Sequence, residues 1–186
     1  MFFYRNDTYA IIAASRCGHT NMYHYHGIEP YTNTADALSQ NPKLWYRHHN
    51  PIVVLRNPLE RVVSAMLHTL FNFKGKQFDY DKQSMFFYEH CYPYLNDIAG
   101  VDFRIIDFYD LDKYIPRRED VVQSAVTNSH IEPELTAENV YVMNDYFSLQ
   151  KLQQEFDLYK EIMATHERVS VDEWKEMTKG RLSKDV

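Results

Sequence analysis

Two short stretches of this chain carry residue types suited to holding an anion. The first is Ser15-Arg16-Cys17-Gly18-His19-Thr20-Asn21. Gly18 lets the backbone approach a ligand, Arg16 brings positive charge, and Thr20 offers a hydroxyl where a helix would begin. The stretch lacks the second glycine and the Lys-Ser/Thr pair of a GxxxxGK[ST] loop, which argues against an ordinary Walker-type NTPase. Cys17 in such a cradle suggests a phosphatase nucleophile. That chemistry needs an arginine six residues on, and Tyr23 stands there instead. The second stretch is Arg56-Asn57-Pro58, followed by Glu60, Arg61 and Ser64. An arginine here can fork onto an anion, and the serine adds a hydroxyl. Taken alone, the first stretch is equally well explained as a plain turn between a strand and a helix.

The elements that must position these residues are legible around them. Ile52 to Leu55 form the short continuous apolar run of a strand covered on both faces. Asn57 is placed to cap a helix, Pro58 to sit in its first turn, and Glu60 to complete a capping box. Leu59, Val62, Val63, Met66, Leu67, Leu70 and Phe71 recur at helical spacing and predict the core face of a long helix. Arg56, Arg61 and Ser64 remain as the polar residues of the junction, where open α/β sheets bind anions. Residues 9–14 predict another strand, which runs into the first stretch and then a short helix over 21–26. A third strand is expected over 103–108, with a turn or short helix over 110–114.

Further helices are expected over 34–40, 82–92 (ended by Pro93), 117–126 and 144–159, with loops over 73–81 and 128–136. Ser170-Val171-Asp172-Glu173 matches a capping box for a last helix carrying Trp174 and Met177. Strands alternate with helices, without repeats or a linker. The expected architecture is α/β, a single domain over residues 1–186, with a small central parallel sheet flanked by helices and a helical C-terminal part.

Composition narrows the classes. A chain of 186 residues can bury a real core, and 15 Tyr and 11 Phe supply aromatic material for core and cleft alike. The net charge of −6 argues against a nucleic-acid coat but is compatible with a local basic pocket. Cys17 and Cys91 are too few for a disulfide scaffold and suggest a reducing compartment. The first residues do not read as a signal peptide, and no run reaches the roughly 18 apolar residues of a membrane span. A soluble, cytoplasmic protein with neither a membrane nor a nucleic-acid partner is expected.

Taken in tandem, about forty residues apart, the two stretches resemble the PAPS-dependent sulfotransferases. In that family the first loop binds the 5′-phosphosulfate, and its counterpart here is Arg16-Cys17-Gly18-His19-Thr20. The second binds the 3′-phosphate, and residues 56–64 match it, including the spacing of eight from Arg56 to Ser64. A softer likeness is residues 128–133, which are similar to the His-x-x-Pro loop of carbohydrate sulfotransferases through His130 and Pro133. Arg16 stands where many members carry lysine. The resemblance spans residues 9–155 and implies a P-loop-like three-layer fold and an enzyme that moves a sulfuryl group from PAPS to a hydroxyl, that of a carbohydrate, releasing PAP.

On that resemblance Arg16, Cys17, Gly18, His19, Thr20, Asn21, Arg56 and Ser64 bind the nucleotide, and no metal is required. Arg16 and Thr20 would hold the 5′ side, while Arg56 and Ser64 would hold the 3′-phosphate. The acceptor hydroxyl also needs a general base. The candidates are His19, His24, His26, Glu29 and His130, with Glu29 and His19 first. His48 and His49 precede a strand and so lie at the wrong end of a parallel sheet. Two rivals remain at this stage: a P-loop-like nucleotide or small-molecule kinase, and a non-catalytic nucleotide- or glycan-binding module of the same fold.

Overall fold

The computed structural model describes residues 2–5, 9–26, 50–73, 75–77, 79–116 and 149–179. Its elements in chain order are β1 (Phe2–Arg5), β2 (Tyr9–Ala13), α1 (His19–Tyr25), β3 (Asn50–Leu55), α2 (Pro58–Phe73), α3 (Tyr80–Cys91), α4 (Leu95–Ile98) and β4 (Arg104–Asp107). A 3-10 turn (Phe108–Lys113), α5 (Leu149–Thr165) and α6 (Val171–Met177) complete them. The expected helices over 34–40 and 117–126 and the loop over 128–136 lie outside the described residues.

One four-stranded sheet runs in the order β1-β2-β3-β4. β2, β3 and β4 are parallel, with Ile11 opposite Ile52 and Val53 opposite Ile105. The apolar runs account for this, since all of β2 and residues 52–55 are buried, as strands covered on both faces must be. β1 pairs antiparallel with β2 and was not expected from the sequence. The outer side of β4 is met by residues 167–169, where Ile105 N–H donates to the Glu167 carbonyl at 2.9 Å and Val169 N–H to the Ile105 carbonyl at 3.0 Å.

The helix starts follow from local chemistry. Asn57 Oδ1 accepts the Leu59 N–H at 2.9 Å, Asp79 Oδ1 accepts that of Lys82 at 3.1 Å, and Ser170 Oγ that of Glu173 at 3.2 Å. Glu60 does not close the expected capping box, because its carboxylate takes the Tyr109 hydroxyl instead. α3 ends at Cys91, two residues before Pro93, as a proline requires.

The expected core face of α2 is corrected. Its buried residues are Pro58, Arg61, Ala65, Thr69 and Leu70, with Val62 and Met66 packed against Phe87 and Cys91 of α3. Leu59, Val63 and Phe71 are instead exposed, at 43%, 50% and 40%. The cause is Arg61, which turns inward because its Nη2 finds partners there, although its Nε stays unpartnered. It donates to the carbonyls of Cys91 (3.0 Å) and Tyr92 (2.6 Å), pairs with Glu155 of α5 at 3.2 Å, and lies over the Tyr94 ring at 4.9 Å. Arg61 is thus a core residue and not part of the polar junction. At the other end of the sheet Trp174 of α6 is fully buried against Tyr9, Tyr25, His26 and Tyr114.

Candidate anion site at the strand ends

Because β2 and β3 are adjacent and parallel, the loops that follow them emerge at the same edge of the sheet. Arg56, the residue after β3, donates from Nη1 to the Arg16 carbonyl at 2.8 Å. Arg16, in the turn after β2, donates from Nε to Ser64 Oγ at 3.0 Å. The Arg56 guanidinium also lies 4.5 Å over the ring of Phe108, the residue after β4. Residues that follow all three parallel strands, with Ser64 of α2, therefore meet in one cluster.

The backbone of the first loop is bent to make this possible. Arg16 has φ +66°, a left-handed conformation that costs a non-glycine residue on the order of 1–2 kcal/mol. Gly18 has φ +76°, and a Cβ placed there would run into Leu111. A glycine is needed on both counts. The first backbone bond of α1 runs from the Met22 N–H to the Gly18 carbonyl at 3.1 Å.

Electrostatically the cluster has an excess of cation. Arg16 is largely buried, and its burial, with the neighbouring Arg56 charge, pushes its pKa down to about 10. Among the described residues neither Arg16 nor Arg56 forms an ion pair with a carboxylate. Arg56 Nε is buried with no hydrogen-bond partner. Two like charges held together in this way favour a bound anion, which would relieve the repulsion and take up the remaining N–H groups. Tyr109 stands at the rim, its hydroxyl donating to Glu60 and its pKa raised to about 12 by burial and by that carboxylate.

The remaining expected site residues are placed as follows. Cys17 is fully buried beneath the loop, its N–H donates to the Ala14 carbonyl at 3.0 Å, and burial pushes its thiol up despite the nearby Arg61 and Arg56. It is therefore no thiolate nucleophile. Thr20 is half-buried in the first turn of α1. Asn21 is buried, with its Oδ1 unpartnered. His19 begins α1, and its pKa is pushed down to about 3, chiefly by burial, with Arg16, His90 and His68 adding to the effect. His26 packs against Tyr25 and Trp174 and is likewise pushed to about 3 by burial. Glu29, His48, His49 and His130 lie outside the described residues, as does the loop over 128–133.

Two histidines that the sequence reading passed over stand near this cluster. His68, on α2, follows Ser64 by four residues and so shares its face. His90, in the last turn of α3, has its ring centroid 4.9 Å from that of His68. Burial and the Arg16 charge lower the proton affinity of both, His68 to about 4. The spacing of Ser64 and His68 was a usable local signal. The meeting with His90 was not, because it depends on how α3 packs on α2.

Among the described residues no three His, Cys, Asp or Glu side chains come together as a metal site would need, and no helix is long and apolar enough to cross a membrane. No protein-family model, curated protein or solved structure matches this chain.

Proposed function

We propose that the protein is a PAPS-dependent sulfotransferase of P-loop-like fold that acts on the hydroxyl of a carbohydrate. The observation that carries this reading is the meeting of Arg16 and Arg56, with no carboxylate paired to either among the described residues, at the ends of adjacent parallel strands. The residues fit a nucleotide with two separated anionic groups. Arg56 keeps a buried, unpartnered Nε for one of them, and the Ser64 hydroxyl, which accepts from Arg16 Nε, belongs to the same cluster. Arg16, with Thr20 at the start of α1, serves the 5′ side, where negative charge grows on the leaving phosphate as the sulfuryl group departs. Sulfuryl transfer asks little covalent chemistry of a protein, so positioning and charge stabilisation supply most of the effect, by analogy with phosphoryl transfer.

The test is thermal unfolding in the presence of adenosine 3′,5′-bisphosphate (PAP) or ATP with Mg2+. PAP at a hundredfold excess over its Kd should stabilise the fold by about 2.7 kcal/mol. Stabilisation by ATP with Mg2+ and none by PAP would overturn the assignment in favour of a kinase.

A further inference from the structure

The sulfuryl acceptor must lose a proton, and the structure offers a group for it on α3. His90 Nδ1 lies 2.6 Å from the Phe86 carbonyl. A carbonyl only accepts, so the proton sits on Nδ1, and the neutral ring presents a lone pair at Nε2. Among the described residues Nε2 makes no hydrogen bond. A base whose tautomer and direction are fixed by a second group is the arrangement general-base chemistry requires. The Phe86 ring lies 4.3 Å from that of His90 and 5.3 Å from that of His68, so the three rings form one aromatic wall. Phe73 closes it with an edge contact to Phe86 at 5.5 Å. The wall is joined to the anion cluster through α2, where His68 stands one turn beyond Ser64, the partner of Arg16. His19, the base expected from the sequence, shares this neighbourhood, and burial lowers the proton affinity of both His19 and His90, that of His19 to about 3.

We propose that His90 takes the proton of the acceptor hydroxyl through Nε2, and that Phe86 and His68 form the wall on which a ring-shaped acceptor, a pyranose, lies. The inference rests on the sulfotransferase reading. In the step, a bond forms between the acceptor oxygen and sulfur while the bond from sulfur to the bridging oxygen of PAPS breaks. The electron pair of that bond stays on the 5′-phosphate of PAP, and the hydroxyl proton goes to His90. Aromatic side chains suit the C–H face of a sugar.

The test uses the full chain, radiolabelled PAPS, and N-acetylglucosamine, galactose and phenol as probe acceptors. His90→Gln should bind PAP within about twofold of the wild type and lose about a hundredfold or more in kcat. His90→Ala should be rescued by added imidazole in a saturable manner, an effect that a purely structural histidine would not give. Turnover by His90→Gln within about threefold of wild type, or loss without rescue in His90→Ala, overturns the assignment of His90. Wild-type protein that binds PAP but transfers sulfate to none of the three probes also overturns it, while leaving the nucleotide site standing. Wild-type protein that does not bind PAP removes the sulfotransferase reading itself, and this inference with it.

Discussion

Arg61 and the Arg16–Arg56 pair are separated by little sequence and handled in opposite ways. Arg61 is 2% exposed, and its charge meets Glu155, two backbone carbonyls and the Tyr94 ring. Arg16 and Arg56 face one another, one in a strained backbone conformation and the other with a buried unpartnered N–H. The first arrangement carries its own carboxylate and links α2 to α5, although Arg61 Nε is as unpartnered as Arg56 Nε. The second has no carboxylate partner among the described residues. A buried arginine with its own carboxylate belongs to the scaffold, and two arginines without one point to a ligand.

The largest expected effect breaks the scaffold side. Arg61→Met removes the cation beside the buried Glu155 carboxylate and should cost about 3–5 kcal/mol in urea unfolding. The double variant Arg61→Met/Glu155→Leu should recover most of that loss, since a well-packed apolar pair replaces a buried ion pair at little cost. PAP affinity of the folded double variant should stay near wild type. A large loss of affinity there would mean that Arg61 belongs to the site after all.

On the ligand side the sign of the comparison reverses. Arg56→Ala should cost on the order of 2 kcal/mol in PAP binding, measured by calorimetry, because it removes a charged, directional contact. Its effect on unfolding should be smaller than that of Arg61→Met. Unchanged PAP affinity in Arg56→Ala would take away the basis for the anion site.

A further expected effect is a pH dependence arising beside Arg16. Burial holds His68 at about 4 and His19 at about 3 in the folded chain, against about 6.5 unfolded. The unfolded chain therefore binds more protons between those values. Stability is fully present above about pH 6.5 and is lost as the pH falls towards 4. The melting temperature of His68→Gln should fall less steeply than that of wild type over this range. An unchanged slope would mean that His68 is not the neutral, buried imidazole described above.

How far the sequence led depended on what kind of signal each residue leaves. β2 and β3 were legible because continuous apolar runs must be buried on both faces, and the helix starts at Asn57 and Ser170 because caps are local chemistry. The loops that bring Arg16, Arg56 and Ser64 together could be placed from the strand–turn–helix pattern alone. The rotation of α2 could not. A periodicity search scores Arg61 as polar and Leu59, Val63 and Phe71 as apolar, and only the carboxylate of Glu155, far along the chain, reverses that assignment. The meeting of His90 with His68 was invisible for the same reason, since it depends on a neighbouring helix. β1 was missed because a four-residue antiparallel strand earns its place by pairing with β2 more than by any pattern of its own.

The contact of residues 167–169 with β4 has a consequence for the order in which the molecule is made. The parallel strands β2, β3 and β4 are complete in sequence by Asp107, yet among the described residues the outer side of Ile105 is satisfied by Glu167 and Val169. During synthesis some sixty residues must therefore emerge after β4 before these two backbone bonds can form. A strand edge that lacks its partners is the kind of surface on which neighbouring chains pair. Closure of the sheet is a late, long-range event, and the C-terminal helices act as its seal.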